Sequence, residues 1–256
     1  MSGEFSPDWL ALREPADAAA RDTGLADRLR ERLTPPLVVR DLGCGTGSMG
    51  RWLAPRLRGP QHWVLMDRDP ALLTYAGTHL PDGVTVQTRE GDVTGLTGAD
   101  LAGTGLVTCS ALLDLLTTGE IGDLVTACAA GGTAALFTLS VTGRVALDPA
   151  DPLDGEIADA FNEHQRRVTG GRVLLGPDAA GVAADAFAAA GAVVDVRPSP
   201  WRLGPDNAAL AGQWLRGWLS AAAEQRPDLR LDDYLRWRLA DGFAASVGHE
   251  DVLAIF

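Results

Sequence analysis

Apolar residues recur along this chain in two rhythms. Over residues 8–33, Trp9, Leu10 and Leu12 lead into an alanine run, and Leu25, Leu29 and Leu33 follow at helical spacing. Asp22-Thr23-Gly24 offers a break between two helices, and Pro35-Pro36 ends the segment. Short apolar runs then alternate with helical stretches. The pattern predicts strands over 37–42, 62–66, 84–88, 106–110 and 133–141, and helices over 48–57, 70–79 and 121–129. Such alternation builds a parallel sheet covered by helices on both faces, with right-handed crossovers.

The rhythm changes after residue 142. Residues 144–176 carry prolines and charges around one expected helix, 153–169. An alanine-rich helix over 178–190 ends at Gly191, and a strand follows over 192–196. Residues 206–246 read as helical, with Trp214, Leu215, Trp218 and Leu219 on one face, and 251–256 closes as a strand. The expected architecture is α/β: a doubly wound, mostly parallel seven-stranded sheet with helical cap insertions at about 144–176 and 206–246. Residues 1–35 would form an N-terminal helical lid on a 36–256 domain.

Composition narrows the partners. A net charge of −12 repels phosphate backbones, which argues against nucleic acid. No apolar run reaches the length of a membrane span, and Met1-Ser2-Gly3-Glu4-Phe5 lacks the basic-then-apolar pattern of a leader, so a cytoplasmic location is expected. Cys44, Cys109 and Cys128 form no paired spacing, which fits a reducing compartment. The four histidines (His62, His79, His164, His249) are scattered, and no metal site is expected.

Gly43, Gly45 and Gly47 directly follow a predicted strand and precede a predicted helix. Glycine there permits positive φ and close approach of backbone to a ligand. The next strand ends at Asp67, twenty residues after Gly47, where an acid can accept both ribose hydroxyls of a nucleoside. An adenosine-containing ligand follows. The register Gly45-x-Gly47-x-x-Gly50 matches a dinucleotide fingerprint but would put Asp41 inside the buried strand. The register Asp41-x-Gly43-x-Gly45-x-Gly47 puts Asp41 at the strand's C-terminal edge, facing the ligand. A carboxylate there is unwelcome beside a pyrophosphate and welcome beside an ammonium or sulfonium. Asp41 also fits as a helix cap, and Asp67-Arg68-Asp69 also reads as a DxD triplet.

"DLGCGTG", which includes Cys44, resembles the first motif of class I S-adenosylmethionine-dependent methyltransferases, proteins with a Rossmann-like fold. "WVLMDRDPALL" resembles the second motif, which makes Asp67 the ribose acid with Arg68 beside it; "REGDV" resembles the third, with Asp92 near the adenine amino group and Val93 against the ring. "LVTCSALLDLLT" resembles the fourth, where Ser110 to Asp114 would leave the strand beside the methyl group, and "GGTAALFTLSV" resembles the fifth strand. The resemblance covers roughly residues 36–142, and departs from the family at Gly105, where many members carry an acid. It implies methyl transfer from S-adenosylmethionine to a small-molecule acceptor by a monomer or homodimer. Two rivals are a binding protein of the same fold that transfers no methyl group and a nicotinamide-dependent oxidoreductase.

On the acceptor side, Asp114 follows the fourth strand, and His164 shares a predicted helical face with Phe161 and Val168. Either could act as a base. Trp201 and Arg202 are candidates for the pocket wall. Arg13, Asp17 and Ala20 share a face of the N-terminal helix, with Arg21 beside it, so Arg13 or Arg21 could bind a carboxylate of cofactor or acceptor.

Overall fold

The N-terminal helical segment divides where the sequence places an aspartate. In the computed structural model, which describes residues 6–256, helix α1 (Pro7–Ala20) is capped by Ser6, and α2 (Thr23–Arg32) by the Asp22 side chain, which accepts the Leu25 N–H. Residues 1–5, read above for a leader, lie outside the described residues. Strand β1 (Leu37–Leu42), helix α3 (Ser48–Leu53), β2 (Gln61–Asp67), α4 (Pro70–Ala76), β3 (Val84–Glu90), β4 (Leu106–Ser110) and α5 (Thr118–Gly131) follow in the expected alternation. A reciprocal cap between Thr117 and Glu120 opens α5.

The later half departs from the expected boundaries. Strand β5 (Ala134–Asp148) continues well past residue 141, so the first insertion starts later than residue 144. Helix α6 (Leu153–Gln165) stops before Val168, because a hairpin of β6 (Val168–Thr169) and β7 (Arg172–Val173) turns at Gly170 and Gly171, both at positive φ. Then come α7 (Ala179–Ala189), β8 (Val193–Pro198), β9 (Trp201–Leu203), α8 (Ala208–Gln225), α9 (Asp232–Asp241) and β10 (Ala244–Ile255). The final strand thus begins seven residues before the expected 251 and takes the tail of the region read as helical.

The main sheet runs β3-β2-β1-β4-β5-β10-β8. The first five strands are mutually parallel, and β10 is antiparallel to β5 and β8. β9 is an eighth strand, but it continues the lane of β8 along the same edge of β10, so the sheet is seven lanes wide. One apolar cluster joins the sheet to α5 and α7 around Phe137 and Phe187, and a second joins it to α2 and α3 around Trp63 and Leu53. A third, around Trp201, Leu215 and Trp218, packs α1, α6, α8 and α9 onto the extended β5–β10 ribbon. The Trp214–Trp218 stripe is part of it, with the rings stacked at 5.4 Å. No helix among the described residues is long and apolar enough to cross a membrane.

Candidate functional site

In a parallel sheet the strands' C-terminal ends carry loops whose backbone groups are free to face a ligand. Here those ends line a cavity roofed by α1. Gly43, Gly45 and Gly47 hold φ of +60°, +53° and +86°, which only glycine adopts without strain. Gly43 and Gly45 line the cavity; Gly47 instead caps α3 and lies against Leu80. Arg51 ties the loop to α1, pairing with Glu14 and donating to the Thr46 carbonyl at 2.6 Å.

Asp67 ends β2 with both carboxylate oxygens engaged by the loops beside it. One accepts the Gly45 N–H at 2.8 Å, and the other the Asp69 N–H at 3.0 Å. Spare lone pairs remain on both. Asp92 starts the turn after β3, where the Thr94 N–H and hydroxyl bind it and the N–H holds its carboxyl below the usual range. Arg68, Asp92, Val93 and Cys44 all line the cavity with Asp67, and burial raises the Cys44 thiol, which keeps it protonated.

Asp41 is the penultimate residue of β1 and combines both registers weighed above: it lies within the strand, 1% exposed, and still faces the cavity. The Thr108 hydroxyl donates to Oδ1 at 2.7 Å, while Oδ2 has no partner among the described residues. Burial pushes its carboxyl up to about 7, against the pull of that hydrogen bond and of Arg21. Arg21 is 3% exposed at the end of α1. It donates to Ser110 at 3.0 Å, Ser48 at 3.3 Å and Thr138 at 3.4 Å, and its Nη1 is unpaired. Burial lowers its pKa, with Asp17, Asp251 and Asp41 opposing.

The other wall is apolar, formed by Leu10, Ala111, Leu112, Leu115 and Leu116, with Arg172 at its margin. Ala111 follows β4 at φ +51°, a strained conformation of the kind that collects at functional sites. Arg13 and Asp17 reach this wall from α1. Trp201 does not line the cavity but hydrogen-bonds Asp17 from behind, and Arg202 lies on the opposite side of α1, in a separate groove at the start of α8.

The two catalytic candidates are not brought together. Asp114 lies in a turn of 3-10 helix, Leu113–Leu115, whose neighbours Leu112, Leu115 and Leu116 form the apolar wall. Burial pushes its carboxyl up to about 6, with Arg13 and Arg167 opposing. His164 lies apart from the cavity, its Nε2 3.1 Å from Glu224 on α8. The expected inward face of Phe161, His164 and Val168 does not form, because α6 ends first and Val168 is an exposed hairpin residue. Sequence reasoning did not find Ser48, Leu115, Leu116 or Arg172, and reached Leu112 only within the stretch Ser110 to Asp114. The leucines had a signal, an apolar run directly after β4; Arg172 had none, being delivered by the hairpin. Among the described residues no group of three His, Cys, Asp or Glu could hold a metal ion.

Residues 39–131 match the family model of the methyltransferase domain. Over these residues the chain is similar to a methyltransferase domain. Comparison with curated proteins finds no match. Among solved structures, a mycolic acid cyclopropane synthase complexed with SAH and CTAB is 11% identical, covers 97% of this chain and 94% of its own, and has a TM-score of 0.52, which shows the same fold around the domain's full sheet. An SAM-dependent methyltransferase from Geobacter sulfurreducens, in complex with S-adenosyl-L-homocysteine, is 17% identical, covers 98% and 99% of the two chains and has a TM-score of 0.46. The matched segment of the methyltransferase domain includes Asp41, the glycine loop, Asp67, Asp92 and Ser110, but neither α1 nor the cap.

Proposed function

We propose that the protein binds S-adenosylmethionine and transfers its methyl group to a small-molecule acceptor. The observation that carries this reading is a pair of buried orphan atoms near the glycine loop: Asp41 Oδ2, on the cavity wall, and Arg21 Nη1, behind the lining residues Ser48 and Ser110. A buried orphan costs free energy unless a ligand satisfies it. An acidic and a basic side chain within electrostatic reach of each other, each with one atom unsatisfied, suit the ammonium and carboxylate of an amino acid, and Asp67 on the next strand suits a ribose. One ligand carrying all three groups is S-adenosylmethionine. A pyrophosphate beside Asp41 would meet only repulsion.

When bound, S-adenosylmethionine supplies a methyl group on a sulfonium: the acceptor's electron pair forms the new bond to carbon, and the carbon–sulfur pair returns to sulfur. The chain's residues bind, orient and exclude water. Asp41 and Arg21 hold the amino-acid end, Asp67 the ribose, and Asp92 and Val93 the base. Helix α1 acts as the lid. Asp114 takes the acceptor's proton where the acceptor carries one. The roof of α1 and the net charge of −12 favour a small molecule over nucleic acid. Three buried, unpaired cysteines fit a reducing cytoplasm.

Calorimetric titration with S-adenosylhomocysteine and with NADH tests the reading. Saturable binding of the first and none of the second is expected; the reverse would sink it.

A further inference from the structure

Helix α1 turns Leu10, Arg13 and Asp17 toward the cavity, at spacings i, i+3 and i+7. A lid that only had to cover the apolar wall of Leu112, Leu115 and Leu116 would present apolar side chains. Replacing a buried ion pair by packed apolar residues is commonly neutral or stabilising, so a retained pair points to another task.

The pair is built with care. Arg13 is 9% exposed, and its Nε and Nη2 edge is taken by both oxygens of Asp17, at 2.9 and 3.2 Å. Asp17 is itself fixed by the Trp201 indole N–H at 2.9 Å. The guanidinium carbon lies 4.8 Å from the centre of the Trp201 ring and 6.0 Å from that of Trp9. These contacts lock the plane of the guanidinium and leave Nη1 without a hydrogen bond among the described residues. Arg13 lines the cavity together with Leu112, Leu115 and Leu116, whereas Arg21 does not line it and donates to Ser48 and Ser110 beside the glycine loop.

We infer that Arg13 anchors a carboxylate of the methyl acceptor, whose apolar body lies on Leu112, Leu115 and Leu116. The assignment rests on the proposed function above. It makes the acceptor an amphiphile: an aliphatic or aromatic skeleton with one acidic group, held at the lid so that the rest of the molecule extends along the leucine wall. A fixed fork of this kind binds carboxylate more strongly than a neutral amide of the same shape.

The test uses the full chain loaded with S-adenosylhomocysteine. Hexanoate, octanoate, phenylacetate and phenylbutyrate are titrated against it, each beside its primary amide, by ligand-observed NMR. At least one acid is expected to bind about tenfold or more tighter than its amide, and Arg13→Gln to bring that ratio to about one, while Arg13→Lys keeps part of it. The inference is overturned if no acid binds, if acids and amides bind alike, or if the ratio survives Arg13→Gln. The other source of a carboxylate is the amino-acid end of the cofactor, and affinities for S-adenosylhomocysteine and methylthioadenosine separate the two. Arg13→Gln is expected to leave both unchanged; a loss confined to S-adenosylhomocysteine would give Arg13 to the cofactor and overturn the assignment. Failure of the wild-type protein to bind S-adenosylhomocysteine would instead defeat the proposed function, and this inference with it.

Discussion

The backbone N–H of Asp22 donates to Asp251 at 2.8 Å, fastening the start of α2 to the last strand of the sheet. The other oxygen of Asp251 accepts the Leu139 N–H at 2.8 Å and the Ser199 hydroxyl at 2.6 Å. A register shift in β10 between Glu250 and Val252 turns this carboxylate inward, and Leu139 is held opposite at φ +57°. One buried group thus joins the start of α2, β5 and the β8–β9 corner. Asp251→Ala is expected to destabilise the fold by about 2–4 kcal/mol. Hydrogen exchange should rise more in α1 and α2 than in α5; a uniform rise would show that Asp251 does not specifically fasten the α1–α2 segment.

Asp41 makes the unliganded protein pH-sensitive. Its folded pKa, about 7, lies above the ordinary 3.8, so the folded state binds that proton more tightly than the unfolded state. Stability from this group is therefore full below the ordinary value and falls as pH rises toward 7. Asp41→Asn should stabilise the apo protein by about 1–3 kcal/mol at pH 8, and by almost nothing near pH 4. It should also weaken S-adenosylhomocysteine binding at least about tenfold. Urea unfolding at the two pH values and calorimetry check the two halves.

Asp67→Ala is expected to weaken S-adenosylhomocysteine binding by about 1.5–3 kcal/mol for each charge-assisted bond lost. The Gly45 and Asp69 amides lose an acceptor too, so the comparison must include unfolding of the apo variant. Unchanged affinity in titration calorimetry would remove Asp67 from the ribose site.

Neither base candidate lines the cavity, but Asp114 is flanked by residues that do, and His164 is not. His164→Ala should keep turnover within about twofold and cost less than about 1 kcal/mol, since its partner Glu224 is 58% exposed and the pair is solvent-screened. Asp114→Asn should lower turnover about 10²–10⁴-fold with cofactor affinity retained, if the acceptor gives up a proton in the limiting step. Single-turnover kinetics of the two variants would decide between them; a large loss at His164 alone would reverse the assignment.

The parallel half of the fold was legible because its inner strands β1, β2 and β4 are buried on both faces and read as apolar runs such as Leu37 to Val39, whereas the edge strand β3 is mostly exposed. The ribbon was not. Beyond Val141, β5 leaves the covered sheet and carries Thr142, Gly143 and Arg144, whose polarity imitates a loop. The hairpin had a signal in Gly170-Gly171, with Val168-Thr169 before it and Val173 after, but the helix expected over 153–169 took in its first strand. In the cavity, the placement of Gly43, Gly45 and Asp67 was legible because it is set by a few neighbouring residues. The link from Trp201 to Asp17 spans 184 residues, and no local pattern encodes it.

Strand β10 lies between β5 and β8, and it is the last of the sheet's strands in the chain. Until it arrives, β5 has one unpaired edge and β8 has no neighbour in the sheet. The closing step of folding is then an insertion between strands separated from it by long stretches of sequence, which is slow on loop-closure grounds. Because β10 also carries Asp251, the α1–α2 segment cannot be fastened to the sheet before that step, and the cavity under α1 becomes a late event in folding. A nascent or partly unfolded chain would expose two strand edges at once, which makes this stage the most exposed to aggregation.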